Sequence, residues 1–474
     1  MTRDPQTVHD LVGIGIGPFG LGLAALAEPL PDVDAVFLDR APGFQWHPGM
    51  MLEGATIQVP FLADLVTMAD PTSRYSFLAY LKDVGRLYPF YIRESFYPLR
   101  SEYDDYCRWV AHRLPSLRWG RRVVSVSHDP DEDAFVVRAE RLAADGSVTG
   151  EEVHRGRHVV LGVGSAPAMP PTLQGLAEQA AESPEAAPVL HSAQYLPNRE
   201  RLVSSRSITV LGSGQSAAEI YRDLLDDIHE RGFRLDWITR SPRFFPMEYT
   251  KLSLELTSPE YTDHHRALPA ELRDRLAREQ RALHKGISAA LVDDIHEALY
   301  RRSSGGRHLP TTLRASTEVI DARHDASTGE HVLALRHTQS GAVTEHRTHA
   351  VVAALGYRPR TPRFLDPLGD MVRRDSRGRL DVARDYTLDD AGRLHAMNAE
   401  EHTHGVTAPD LGFGPWRASV VLANVTGREP YPIEPRIAFQ TFGTPEPGSP
   451  DAPTETVLPR TTGTRTTATT GAHR

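Results

Sequence analysis

Asp10-Leu-Val-Gly-Ile-Gly15-Ile-Gly17-Pro18-Phe-Gly20-Leu-Gly-Leu-Ala24 is the stretch on which the fold turns. An apolar run leads into GxGxxG, and a second apolar run at helical spacing leads away from it. In a strand–turn–helix unit of this kind each glycine has its own task. Gly15 permits the tight turn, Gly17 lets the backbone approach a pyrophosphate, and Gly20 lets helix and strand pack closely. The helix N-terminus that opens at Pro18 presents free N–H groups and a positive partial charge to a diphosphate. Ala35-Val-Phe-Leu-Asp39 follows as a second strand, and Asp39 closes it at the spacing expected of a ribose-binding carboxylate.

The pattern returns at Ser207-Ile-Thr-Val-Leu-Gly212-Ser-Gly214-Gln215-Ser216-Ala217, where a small alanine stands in the third glycine position. The next strand, Leu235-Asp-Trp-Ile-Thr239, is closed by Arg240 rather than by an acid. A guanidinium there suits a 2′-phosphate, so this second turn reads as an NADPH site, with a solvated loop arginine as the alternative. A third buried strand–turn unit is expected at Ala350–Tyr357. Two dinucleotide folds in one chain imply hydride passing from a nicotinamide to a flavin. The expected fold class is therefore α/β, two doubly wound Rossmann-like domains with a mostly helical substrate region.

Composition narrows the function further. The chain has 474 residues, 40% of them hydrophobic, which is enough for about three domains' worth of core. Its net charge of −9 offers no basic excess for general nucleic-acid binding. The single cysteine, Cys107, rules out an intrachain disulfide, a dithiol redox pair or a cysteine zinc site, and suits a reducing cytoplasm. No apolar run is long enough to span a bilayer, and Met1–Asp10 lacks the basic start and apolar stretch of a signal peptide. His264-His265 and His402/His404 lack a convincing partner set for a metal. Helices are expected over Thr72–Leu81, Ser101–Leu114 and, as one long amphipathic stretch, Pro269–Tyr300. Antiparallel strands are expected in Val123–Arg141 and Val332–Thr344, a surface loop over Ala177–Pro188, and a disordered tail from about Thr444.

Further segments make the resemblance specific. Pro18 after the second glycine resembles flavoprotein oxidoreductases, favouring FAD at the first turn. Trp46-His47-Pro-Gly-Met-Met51, Gln58-Val-Pro-Phe-Leu-Ala63-Asp-Leu-Val-Thr67, Asp70-Pro-Thr-Ser73, Tyr75-Ser-Phe-Leu-Ala-Tyr-Leu81, Tyr103-Asp-Asp-Tyr-Cys-Arg-Trp109, Ala354-Leu-Gly-Tyr-Arg-Pro359 and Thr403-His404-Gly405 resemble, in collinear order, the siderophore-type N-hydroxylating flavin monooxygenases. The likeness is strongest to the lysine/diamine branch. It implies a cytoplasmic NADPH- and O2-dependent enzyme that hydroxylates the terminal primary amine of cadaverine, putrescine or L-lysine through a C4a-hydroperoxyflavin, with no protein nucleophile. L-Ornithine N5-hydroxylation and S- or C-oxygenation stay open. The resemblance implies FAD contacts from Trp46, His47, Gln58, Asn398, Thr403, His404 and Gly405 alongside Gly15, Gly17, Pro18, Gly20 and Asp39, with His404 organising the backbone. NADPH is expected on Gly212, Gly214, Gln215, Ser216 and Arg240. Ornithine-type members carry a lysine where Ala63 stands, and more loosely their Asn-Glu pair aligns with Leu254-Glu255 and their Asn-Tyr pair with Lys285-Gly286. A pocket without those carboxylate partners suits a substrate without a carboxylate, since an unpaired buried carboxylate is costly. Lys251 or Lys285 is the cation that would keep lysine in play.

The expected domains are an FAD part at 1–200, an NADPH part at 201–344 with the substrate region at about 245–310, a second FAD part at 345–440, and the tail at 441–474. The likeness also implies a homo-oligomer, possibly a tetramer, with no nucleic-acid or membrane partner.

Overall fold

Strand β1 (Val8–Ile14) is sealed over its last four residues, and that continuous apolar run marks a parallel strand covered on both faces. In the computed structural model, which describes residues 7–182 and 186–444, β1 lies between two parallel neighbours. These are β2 (Ala35–Asp39) and the second half of a long strand, β6 (Val148–Leu161). β3 (Leu117–Trp119) extends the sheet beyond β2. β4 (Arg121–Asp129) and β5 (Ala134–Leu142) form an antiparallel meander with the first half of β6. A late strand, Leu394–Ala396, pairs in parallel with the end of β6, so the chain returns to finish this sheet. Helix Pro18–Ala27 is buried from Gly20 onward and packs against the last helix, Gly414–Thr426. Pro18 opens it in the first-turn position, where a missing N–H is harmless.

A second, wholly parallel sheet has the order β10–β9–β8–β11–β7. Its strands are β7 (Val189–His191), β8 (Ser207–Leu211), β9 (Arg234–Ile238), β10 (Thr311–Arg314) and β11 (Ala350–Ala353). The α/β class and the two doubly wound sheets hold. The second sheet nevertheless reaches past 201–344 at both ends, because β7 and β11 are its strands. Each is too short and apolar to stand without parallel neighbours. A three-stranded antiparallel sheet over 317–348 sits between β10 and β11. Ser165–Pro167 and Tyr357–Pro359 pair where the chain passes between the two sheets.

The helical region departs from expectation in one respect. Pro269–Tyr300 is not continuous: Ala270–Glu279 and a short 3-10 turn are followed by a break, and the next helix is Ala289–Ser303. Ile287 pairs with Pro246 in the break, and Gly286 allows it, since a Cβ there would lie 2.6 Å from the Met247 nitrogen. The expected loop over Ala177–Pro188 is helical in its first part. Helix Pro171–Glu182 places Leu173, Leu176 and Ala180 on the core beside the second sheet, a spacing that outweighs the Ala/Glu/Pro composition. Residues 183–185 lie outside the described residues, as does the tail from 445. The helix expected over Thr72–Leu81 begins only at Phe77, where the Ser76 hydroxyl caps it by accepting from the Ala79 N–H. Helix Arg100–Ala111 and the strands within Val123–Arg141 and Val332–Thr344 lie where expected. Among the described residues no helix is long and apolar enough to cross a membrane.

Candidate functional site

At the first turn the three glycines differ by what a side chain would meet. Gly15 has φ +100°, and a Cβ there would lie 2.3 Å from the Gly162 carbonyl oxygen. At Gly20 it would lie 2.1 Å from the Gly15 carbonyl oxygen. At Gly17 it would meet no protein atom within 4 Å. The first two glycines thus serve strand and helix packing, and the third faces open space in front of the helix N-terminus, the cradle a diphosphate requires. Asp39 braces the loop from beneath. Its carboxylate accepts the Ile16 N–H at 2.7 Å and the Ala41 N–H at 2.8 Å.

The segments that resemble flavin contacts are held by partners of their own. The Trp46 N–H donates to Asp104 at 2.7 Å, and its ring lies 4.9 Å from Tyr103. His47 takes a left-handed backbone (φ 48°) and contacts Trp46 and Tyr357, whose ring also meets His191. The His47 imidazole is reachable from outside yet crowded by protein. That crowding, with Arg100 nearby, lowers its pKa to about 4, so it is neutral at physiological pH. The Gln58 amide nitrogen is buried without a protein partner, a donor left over for a ligand.

The late segment carries the remaining residues read as flavin contacts. Asn398 (φ 63°) and Gly405 (φ +70°) make its two left-handed bends. Thr403 donates to the Glu400 carbonyl at 3.0 Å and meets His404 Nδ1 at 2.9 Å. The His404 ring stacks on Tyr386 at 4.8 Å, and its Nε2 is buried and unpartnered. Burial, reinforced by Arg266, Arg417 and Arg384, pushes its pKa far down and keeps it neutral. An orphaned amide, an orphaned imidazole nitrogen and an open glycine cradle fit a flavin dinucleotide.

Sequence reasoning missed the pair that holds this segment. Glu400 and Arg417 have no exposed surface and oppose each other at 3.1 Å. Arg417 also donates to the Thr407 and Ala408 carbonyls and lies 4.7 Å from the Phe19 ring, tying the late segment to the first turn. A lone arginine inside the apolar run of the last helix was the available signal. Arg100 and Glu219 were also missed. They form a bidentate, largely buried pair at 2.9 and 2.7 Å that joins the two sheets' helices.

The second turn repeats the first. Gly212 has φ +140°, and a Cβ there would lie 2.2 Å from the Ala354 carbonyl oxygen. Gly214 caps helix Gln215–Arg231, and Ser216 sits half-buried in its first turn. Gln215 accepts the Ser288 N–H at 2.8 Å and donates to Glu219 at 3.0 Å, which seats the helical region over this turn. Arg240 is 69% exposed, and Glu318 lies 3.9 Å away, so its guanidinium is open to a phosphate.

The residues read as substrate contacts do not gather in one place. Ala63 is buried against Gly412. Lys285 forms an ion pair with Glu401 at 2.7 Å, and His284 lies 3.3 Å from the same carboxylate. Those partners hold the Glu401 pKa at about 2 against the burial that opposes them. Leu254 is exposed. Glu255 accepts the Phe439 and Gln440 N–H groups at 3.1 and 3.0 Å, so its carboxylate is engaged by the chain's own late residues.

The profile of the family described as L-lysine 6-monooxygenase/L-ornithine 5-monooxygenase matches residues 7–359. A putrescine N-hydroxylase of Shewanella oneidensis is 44% identical over 439 residues, covering 92% of this chain and 84% of that protein. A putrescine N-hydroxylase of Acinetobacter baumannii is 39% identical over 438 residues, covering 92% and 94%. Among solved structures, the FAD-bound cadaverine monooxygenase of the desferrioxamine pathway from Erwinia amylovora superposes with a TM-score of 0.88. It is 46% identical, and the match covers 93% of this chain and 100% of that one.

Proposed function

The chain belongs to the L-lysine 6-monooxygenase/L-ornithine 5-monooxygenase family, and from that premise we propose that it N-hydroxylates one terminal amine of a diamine, cadaverine or putrescine, for hydroxamate siderophore assembly. It is an FAD- and NADPH-dependent N-monooxygenase. Bound FAD, reduced by NADPH, supplies the activation of O2. Gly15, Gly17, Pro18, Gly20 and Asp39 form the diphosphate and ribose cradle, and Trp46, His47, Gln58, Asn398, Thr403, His404 and Gly405 surround the ring. Gly212, Gly214, Gln215 and Ser216 receive the NADPH diphosphate, and Arg240 its 2′-phosphate. The FAD half comprises 1–200 and 345–440 apart from β7 and β11, which serve the NADPH sheet.

The substrate amine must be uncharged to act as a nucleophile, whereas a free alkylamine has a pKa of ~10.4. The neutral imidazoles of His47 and His404 make a site that disfavours the ammonium form at the reacting end.

One observation carries the choice of amine. Ala63 brings no charge, and Lys285 is already paired with Glu401, so neither offers a cation to an α-carboxylate. L-Lysine is the second reading, favoured by Lys251, which is exposed and has no ion pair among the described residues. Steady-state hydroxylamine formation from cadaverine, putrescine, L-lysine and L-ornithine tests the choice. The expected order places the diamines first, and a clear preference for ornithine overturns it. We place the enzyme in the cytoplasm as a homo-oligomer, in keeping with its single cysteine and its family; sedimentation of the purified protein tests the assembly.

A further inference from the structure

The corner beside Ala63 carries the substrate reading one step further. Gly412 is where two segments meet. A Cβ there would lie 3.2 Å from Asp410 Oδ1 and 3.4 Å from the Ala63 Cβ, so a carboxylate and a methyl group flank one spot. The Phe413 N–H donates to Asp410 Oδ1 at 2.9 Å, and no side chain among the described residues donates to either oxygen. Asp410 is crowded by protein without being sealed, and the crowding raises its pKa, the mark of a carboxylate short of compensating charge. Two groups lie in its field, and each faces another carboxylate: Arg417 faces Glu400, and His284 faces Glu401. Tyr249, in the segment leading into the helical region, brings a buried hydroxyl with no partner into the field of Asp410. Two polar groups with unused capacity thus lie where ornithine-type relatives keep a lysine.

We propose that Asp410 determines specificity, its carboxylate receiving the distal ammonium of a diamine with the Tyr249 hydroxyl as second contact. The inference rests on the diamine reading and gives it a positive element, because Ala63 explains only what is missing. At this corner an amino acid would set a second carboxylate beside Asp410, a like-charge contact that costs binding. A diamine brings the one charge that the corner lacks.

The test compares cadaverine with n-pentylamine, which has the same chain and no distal ammonium. In the unmodified enzyme kcat/KM for hydroxylamine formation is expected to favour cadaverine by about a hundredfold. In Asp410→Asn the cadaverine-to-pentylamine ratio falls toward one, and in Asp410→Glu part of it returns, with FAD content and far-UV dichroism as controls on folding. Equal use of the two amines by the unmodified enzyme overturns the proposal, whether or not a variant folds. So does an Asp410→Asn enzyme that carries FAD and keeps the ratio. If the unmodified enzyme hydroxylates neither diamine while forming hydroxylamine from an amino acid, the diamine reading fails and the Asp410 assignment falls with it. If it hydroxylates diamines and the ratio does not move, only the Asp410 assignment fails.

Discussion

The two glycine turns share one steric device and differ in what surrounds it. At each, the first glycine adopts a positive φ because the carbonyl that ends a neighbouring strand stands where a Cβ would go, Gly162 at 2.3 Å for Gly15 and Ala354 at 2.2 Å for Gly212. The device therefore follows from parallel strands ending together and says nothing about the ligand. On the proposed reading, the ligand is distinguished at the end of the second strand. Asp39 is wired into its own loop through Ile16 and Ala41, whereas Arg240 projects into solvent beside a distant Glu318. The coverings differ as well. The first turn is walled by the last helix, where a Cβ on Gly414 would press on Phe19 at 3.1 Å. The second is overhung by the helical region through Gln215 and Ser288.

The largest effects test whether the shared device is equally necessary at both turns. Gly15→Val and Gly212→Val each force a side chain into a backbone carbonyl at a disfavoured φ, and each is expected to cost about 3 kcal/mol or more. The outcomes separate by domain: Gly15→Val purifies without flavin absorbance, whereas Gly212→Val retains flavin that NADPH no longer reduces. Loss of FAD from both would show that the two sheets fold as one unit and would break the comparison. Next comes the wall of the first turn. Arg417→Met leaves Glu400 buried and unpaired, at about 3–5 kcal/mol in denaturant unfolding. Adding Glu400→Leu removes the stranded charge, and the double variant should regain most of that loss. The third effect belongs to the open site. Arg240→Ala is expected to raise KM for NADPH about tenfold, roughly 1.4 kcal/mol, with little change for NADH. The difference between the two nucleotides should shrink at high salt, because the guanidinium is exposed.

What the sequence disclosed follows the distance over which each feature is decided. Both turns were legible because strand, glycines, helix and the closing Asp39 or Arg240 lie within one local unit. Helix Arg100–Ala111 was legible from its own apolar spacing. The break at 284–288 was not, because it is imposed by Pro246 and Met247, a segment with no periodic signal of its own. Helix Pro171–Glu182 was obscured by composition, although Leu173, Leu176 and Ala180 already had the spacing. In the site, Ala63 stood out only against relatives. The approach of Ala63 to Gly412, the Arg100–Glu219 link and the Lys285–Glu401 pair join residues more than a hundred positions apart, and no local pattern marks them. The pairing of Lys285 changes the reading most, since as a bare sequence it was a free cation.

Gly17→Ala isolates the part of the first turn that exists for the ligand, and its effect on the empty protein is the smallest expected. Gly17 has φ −76° and ψ −177°, extended backbone that alanine adopts freely, and a Cβ there meets no protein atom within 4 Å. Nothing in the folded chain therefore requires glycine. Losing its flexibility in the unfolded state should leave stability unchanged or raise it by about 0.4–1 kcal/mol. The methyl group does, however, occupy the space in front of the helix N-terminus, so FAD should bind about tenfold more weakly, roughly 1.4 kcal/mol. The two changes have opposite signs. The FAD-free variant should melt at or above the FAD-free parent, while the rise in melting temperature on adding FAD shrinks. A loss of stability without FAD would mean that Gly17 answers to packing as Gly15 does. A full FAD-induced rise would mean that the diphosphate does not approach the backbone at this residue.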